Sequence, residues 1–220
     1  MAAARGTKVY VEAGSKRVFA CAVDWPGWCR SARSEELALQ ALAEYAPRYA
    51  PVPERAGVRF PARAAGSFDV AERVTGDAST DFGVPGRVPE IDAGRVTPAA
   101  ARRLASLVTA AWEVFDEVAA GAPEELRKGP RGGGRDRDKM IDHVLGAEAA
   151  YARKIGIRMR PPALGDRAAV EELREAIRQV LARPSDGEPL VERGWPARYA
   201  ARRIAWHVLD HAWEMVDRST

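Results

Sequence analysis

The chain has 220 residues, 46% of them hydrophobic and 30% charged, so it can bury a substantial core as one large domain or two small ones. Its net charge is only +3, and its basic residues are interleaved with acidic ones, which argues against a nucleic-acid-binding surface. No segment approaches the run of about 18 apolar residues that a membrane span needs, and the first residues lack the apolar stretch of a signal peptide.

The chain has two cysteines, Cys21 and Cys29. Their spacing fits neither a CxxC motif nor a disulfide framework. We therefore expect two reduced thiols and a cytoplasmic protein.

The N-terminal part has the alternating pattern of a small sheet. Strands are predicted over residues 8–12 (KVYVE) and 17–23 (RVFACAV), joined by the tight turn AGSK. The sequence DWPG at 24–27 ends the second strand. Trp25 and Trp28 flank this turn; packing in a sheet–helix core is favoured over a role as a lid or recognition edge.

A helix is predicted to begin after Ser34, an N-cap residue followed by two glutamates, and to end near Pro47 and Pro51. Its apolar face consists of Leu37, Leu39, Ala41, Leu42 and Tyr45. A further strand is expected at 67–74. Residues 76–95 are rich in Gly, Pro and Asp, which predicts a linker and a domain boundary near residue 95.

From Thr97-Pro98 onward the pattern is helical, because Thr is a good N-cap and Pro suits the first helical position. Helices are predicted at 98–119, 135–156, 166–183 and 195–218. The expected fold is therefore a two-domain α+β protein, with a small α+β domain over 1–95 and an all-α four-helix bundle over 96–220. Four tryptophans are interpreted as packing residues of this bundle: Trp112, Trp195, Trp206 and Trp213.

The three histidines of the chain all fall in the predicted bundle. His207 and His211 are four residues apart, so they project from one face of the last helix, beside Ile204 and Met215. His143 lies on the second helix, in a stripe formed by Met140, Val144, Ala147 and Tyr151. Facing helices are a common source of metal ligands, and three imidazoles suit a divalent ion such as Zn or Ni. The alternative is that all three are ordinary half-buried side chains.

Residues 98–220 resemble the DinB-like (YfiT-like) family of metal-binding four-helix bundles. In that family one His on the second helix and an HxxxH motif on the last hold the metal. His143 in DHVLGAE matches the first position, and His207 and His211 in AWHVLDHAWE match the other two.

The resemblance implies a metal-dependent enzyme that acts on a small-molecule substrate, by hydrolysis or by transfer of a low-molecular-weight thiol such as mycothiol or bacillithiol. It also suggests a homodimer. Asp210 and Glu214 adjoin the ligands in sequence and are candidates for orienting them; the alternative is that they are exposed charges.

Residues 8–45 resemble the N-terminal fold of HicB-like antitoxins. The matching features are the strand RVFACAVDW, then Pro26-Gly27 and Cys29, and a helix opened by Ser34-Glu35-Glu36. Antitoxins of that kind carry a DNA-binding segment after this unit, whereas here a helical region follows. A packing or oligomerisation domain is therefore favoured. The alternative function for the whole chain is a non-catalytic binding or regulatory module with a structural or vestigial metal site.

The segment RKGPRGGGRDRDK at 127–139 lacks the Ser or Thr that ends a phosphate-binding P-loop. Arg131, Arg135 and Arg137 nevertheless precede a helix N-terminus, which favours anions. They are candidates for binding an acidic group, with solvated loop charges as the alternative.

Overall fold

The computed structural model describes residues 6–129 and 134–219, and it confirms the α+β class. A mixed four-stranded sheet has the strand order β3-β2-β1-β4. β1 is antiparallel to β2 and parallel to β4, so the chain must cross over between β3 and β4. The strands are β1 (Thr7–Ala13), β2 (Val18–Ala22), β3 (Cys29–Ala32) and β4 (Phe68–Thr75).

Four long helices lie close to the predicted ranges, and shorter ones occupy the N-terminal half. Thr97 caps the first long helix by accepting a hydrogen bond from the Ala100 amide, as its sequence predicts. The helices are α1 (Glu35–Glu44), α2 (Ala46–Tyr49), α3 (Pro51–Arg55), α4 (Ala78–Phe82), α5 (Pro98–Gly121), α6 (Arg137–Arg153), α7 (Arg167–Leu181) and α8 (Ala197–Arg218), with a 3₁₀ helix at Glu90–Ala93.

Three local features differ from the sequence-based expectation. The strand β3 was not predicted, because its sequence CRSA has no β-branched or aromatic residue. Pro47 and Pro51 do end α1, but each also lies in the first turn of a new short helix, where a missing N–H costs nothing. The segment 76–95 contains α4 and the 3₁₀ helix, so it is not wholly irregular.

The segment 76–95 is tied to the sheet and to α8 by buried polar contacts. The buried carboxylate of Glu12 on β1 accepts hydrogen bonds from the Thr80 hydroxyl and from the backbone amides of Gly86 and Arg87. Near the other end, the buried carboxylate of Asp92 pairs with Arg202 of α8. Buried charges need such partners, so these contacts fix the path of the loop.

Helix α8 is the central element of the molecule. It packs on α5 and α6, and α7 also contacts α5 and α6. Its Trp206 also packs against the sheet, with ring centroids 6.2 Å from Phe19. At Gly27 (φ 93°) the turn after β2 lies so close to α8 that an added Cβ would be 2.4 Å from Leu209. One continuous hydrophobic cluster accordingly contains residues from the sheet, from α1 and from the four long helices.

The tryptophans have several roles instead of one. Trp112 is buried in the helical region, as expected, but Trp206 packs on the sheet and Trp213 packs on Tyr45, the residue between α1 and α2, so those two are not contacts within the group of long helices alone. Trp28 is fully buried and stacks on Tyr49, which confirms the core interpretation of the turn aromatics.

Cys21 and Cys29 are buried free thiols that lie directly opposite each other on β2 and β3. Their Sγ atoms are 2.6 Å apart. Desolvation raises the pKa of the Cys29 thiol well above its ordinary value, which keeps it protonated and unreactive. None of the described helices has the length and apolar character needed to cross a bilayer.

Candidate metal centre

Helices α6 and α8 bring the three histidines together. His207 and His211 lie one turn apart on α8, with ring centroids 4.7 Å apart. The His143 ring projects from α6 and lies 5.1 Å from the first and 5.0 Å from the second. Met140 and Val144, which lie on the same stripe of α6 as His143, are both fully buried, so this face of α6 points into the protein.

The spacing of the nitrogens is suitable for a shared ion. One ring nitrogen from each histidine can be chosen so that all three lie within 4.8 Å of one another. A tetrahedral Zn²⁺ site places its imidazole nitrogens about 3.4 Å apart, so closing the site requires movements of no more than about 1.4 Å. Small ring rotations supply movements of this size.

His207 provides a second observation in favour of a bound ion. Its side chain is only 6% exposed, and its buried Nδ1 has no hydrogen-bond partner among the described residues. Leaving such an atom unpaired costs about 1–3 kcal/mol. An ion coordinated through this nitrogen would supply the missing partner and offset the cost.

Glu214 orients the third histidine. Its Oε2 lies 3.0 Å from Nδ1 of His211, and its other oxygen accepts from Arg218 at 2.9 Å. A carboxylate that binds one imidazole nitrogen fixes the tautomer and leaves the other nitrogen for a metal. The hydrogen bond from His211 lowers the pKa of Glu214, so the carboxylate is charged at neutral pH.

The surroundings keep two of the imidazoles neutral. Desolvation is the main reason that the pKa of His207 lies well below its ordinary value, and the neighbouring His211 and Arg203 side chains lower it further. Burial and His211 lower the pKa of His143 in the same way. Neutral imidazole is the form that binds metals, so His143 and His207 are in their ligating state at pH 7.

The other predicted site residues are distributed as follows. Asp210 turns away from the triad and accepts a hydrogen bond from Arg30 of β3 at 2.9 Å. Arg135 is exposed and near enough to lower the pKa values of His143 and His207. Arg137 is engaged locally, with Asp138 and the Ala122 carbonyl. Arg131 lies outside the described residues.

Two functional neighbours of the triad escaped the sequence-based prediction of roles. The Tyr151 ring lies 5.5 Å from the His207 ring, and the Arg203 guanidinium lies 5.0 Å from the Tyr151 ring. Tyr151 had been placed on the histidine stripe of α6, but with no role. Arg203 precedes His207 by four residues, so helical spacing alone would have placed it beside the triad.

The triad is open to solvent on one side. His143 is half-buried, and the His211 side chain is 12% exposed. A larger groove of about 680 Å³ lies between α5, α6 and α7, but none of the histidines lines it. Solvent therefore reaches the triad from the His143 and His211 side.

Comparisons with family models, with curated proteins and with solved structures find no match to this chain. The fold and the site together define an α+β protein with a group of three histidines that could hold a metal ion. Any closer assignment depends on the geometry of that group.

Proposed function

We propose that the protein binds a divalent metal ion through His143, His207 and His211 and uses it on a small molecule, by transfer of a low-molecular-weight thiol or by hydrolysis. The observation that carries this proposal is the convergence of three imidazole nitrogens, from two helices, within 4.8 Å. The four long helices are interpreted as a DinB-like bundle, with one ligand from its second helix and two from its last. Zn and Ni are the ions that best suit three neutral nitrogens.

The residues around the triad have distinct tasks in this proposal. A bound divalent ion supplies Lewis acidity and lowers the pKa of a coordinated thiol or water. Glu214 holds His211 in one tautomer, and burial keeps His207 neutral. Tyr151 and Trp206 cover the inner side of the triad, which limits access of water to the ligands.

Metal analysis of untagged protein tests the site. Wild-type protein dialysed against zinc or nickel is expected to retain one ion per chain. The triple variant His143→Ala, His207→Ala, His211→Ala should retain none. The variant Asp142→Asn serves as a control, because Asp142 is exposed beside His143 and its loss should leave binding intact. Equal metal content in wild type and triple variant refutes the proposal.

The second candidate is a binding or regulatory module with a structural metal site. The observation that favours it is the burial of His207 at 6% exposure, since structural sites are closed to further ligands. Cobalt-substituted protein distinguishes the two functions. An absorption change on addition of 2-mercaptoethanol indicates an open coordination position, whereas an unchanged spectrum indicates a closed structural site.

A further inference from the structure

Two consecutive arginines on α8 are buried in contrasting ways. Arg202 is 5% exposed, and its guanidinium pairs with the buried carboxylate of Asp92. Arg203 is 8% exposed, yet its buried Nη1 has no hydrogen-bond partner, and no carboxylate of the described chain pairs with it. Burying an unpaired charge is costly, so proteins seldom keep one unless a ligand completes it.

The position of Arg203 points to the metal centre. It lies one helical turn before His207 on the same face of α8, and its positive charge contributes to the lowered pKa of that histidine. The guanidinium carbon is 5.0 Å from the Tyr151 ring centroid and 4.6 Å from the Trp206 centroid. Both rings also contact His207, at 5.5 Å and 6.1 Å between centroids. Arg203 and the triad therefore share one set of aromatic walls.

These aromatic contacts position the guanidinium but leave its buried Nη1 without a hydrogen-bond partner. Cation–π attraction acts on the face of the group, whereas the N–H donors lie in its plane. A cavity of about 10 Å³ beside Arg203, Arg202 and Tyr199 has room for one water molecule at most. That cavity is too small for a larger anion, whereas the Tyr151 ring beside the guanidinium is shared with His207.

We propose that Arg203 binds an anionic group, foremost a carboxylate, of a small molecule. The other end of this molecule reaches the metal held by the three histidines. A guanidinium binds a carboxylate through two parallel hydrogen bonds, which fixes the orientation of the molecule. The inference rests on the proposed metal site and adds the substrate class: a short molecule with a metal-binding atom, such as a thiol, at one end and a carboxylate at the other.

Cobalt-substituted protein tests this with two probes of matched size. 3-Mercaptopropionate carries a thiol and a carboxylate, and 3-mercaptopropionamide carries the same thiol and a neutral amide. Thiol binding is followed by the change in cobalt absorption. The wild type is expected to bind the carboxylate at least about tenfold more tightly than the amide, equivalent to about 1.4 kcal/mol.

The variant Arg203→Met should bind cobalt normally and lose that preference. Met is apolar, long and flexible, so it suits the space between Tyr151 and Trp206. If Arg203→Met fails to bind cobalt, Arg203→Gln takes its place. Arg198→Gln is the control for net charge, because Arg198 is a half-buried arginine of the same helix that donates to the Gly94 carbonyl, so its loss should keep the preference.

The outcomes separate the two proposals. A wild type that binds no cobalt overturns the metal site and this inference with it. Cobalt binding with equal affinity for both thiols overturns the inference alone. A preference that persists without Arg203 would indicate chelation by the metal itself, and a preference lost equally in Arg198→Gln would indicate a general charge effect. Either result also overturns the role of Arg203.

Discussion

At the scale of single residues, Glu214 is the side chain whose removal should affect metal affinity without removing a ligand. Its carboxylate orients His211 through a contact of 3.0 Å. Glu214→Gln keeps the size and loses the charge, so metal affinity should fall by about 10–100-fold. Competition with a chromophoric chelator measures this affinity. Asp142→Asn removes an equivalent charge that touches no ligand, and a loss of equal size in that variant would show that net charge is responsible.

The buried imidazole of His207 predicts how the stability of metal-free protein depends on pH. The pKa of His207 in the folded protein lies well below that of an exposed histidine, which is about 6.5. The unfolded chain therefore binds a proton first as the pH falls. The stabilising contribution is complete above about pH 6.5 and is lost below it, with a slope of at most about 1.4 kcal/mol per pH unit for this group.

Urea unfolding at several pH values, in the presence of a chelator, measures this contribution. Between pH 7 and pH 5 the free energy of unfolding of the wild type should decrease more than that of His207→Leu. His143 contributes in the same direction and is present in both proteins. Parallel pH profiles for the two proteins would contradict the buried, neutral state of His207.

The sequence predicts the three candidate ligands but not their surroundings. Helical spacing placed His207 beside His211, and the stripe on α6 placed His143 opposite them, which the structure bears out as a group that can hold a metal. Asp210 and Glu214 both adjoin the candidate ligands in sequence, and the structure places Glu214 against His211 but Asp210 against Arg30. Helical spacing places Arg203 beside the triad, four residues before His207, but the sequence does not show that its neighbour Arg202 is the one that meets Asp92, a residue 110 positions away.

At the scale of elements, the pair formed by Arg202 and Asp92 joins α8 to the segment 76–95. Burial raises the pKa of Asp92, and Arg202 offsets part of that effect. Arg202→Met would leave the carboxylate buried and unpaired, which should lower the free energy of unfolding by about 3–5 kcal/mol. Denaturant unfolding measures the change.

Two further variants show whether that loss of stability comes from the unpaired carboxylate. The double variant Arg202→Met, Asp92→Leu removes both charges and should recover most of the lost stability, because an apolar pair replaces an unpaired charge. Arg102→Met, which replaces an exposed arginine on α5, should change stability by no more than about 0.5 kcal/mol. A loss in the double variant as large as in the single one would mean that Arg202 stabilises through packing and not through Asp92.

Elements with strong local signals were predictable and those made by tertiary context were not. Thr97-Pro98 defined the start of α5 because its capping chemistry is local. The strand β3 has no such signal; its residues are extended because they pair with β2. The loop over 76–95 was recognised from composition, but Glu12 and Arg202, which hold it, come from distant parts of the chain.

At the scale of the whole molecule, the position of α8 between the sheet and the other long helices bears on the domain division. A boundary near residue 95 predicts two units that unfold separately. The hydrophobic cluster, however, runs without interruption from Val9 of β1 to Met215 of α8. A helix that completes two cores at once couples them energetically.

We therefore expect one cooperative unfolding transition. Six tryptophans are available as reporters, with Trp25 and Trp28 before the predicted boundary and the other four after it. Labelling with 5-fluorotryptophan lets ¹⁹F NMR follow each of them during urea unfolding, and all six signals should change with a common midpoint. Arg202→Met should shift every midpoint together, because it weakens the contact of α8 with the segment 76–95. Separate midpoints for the two groups of tryptophans would instead establish two domains divided near residue 95, with α8 stable on the remaining helices alone.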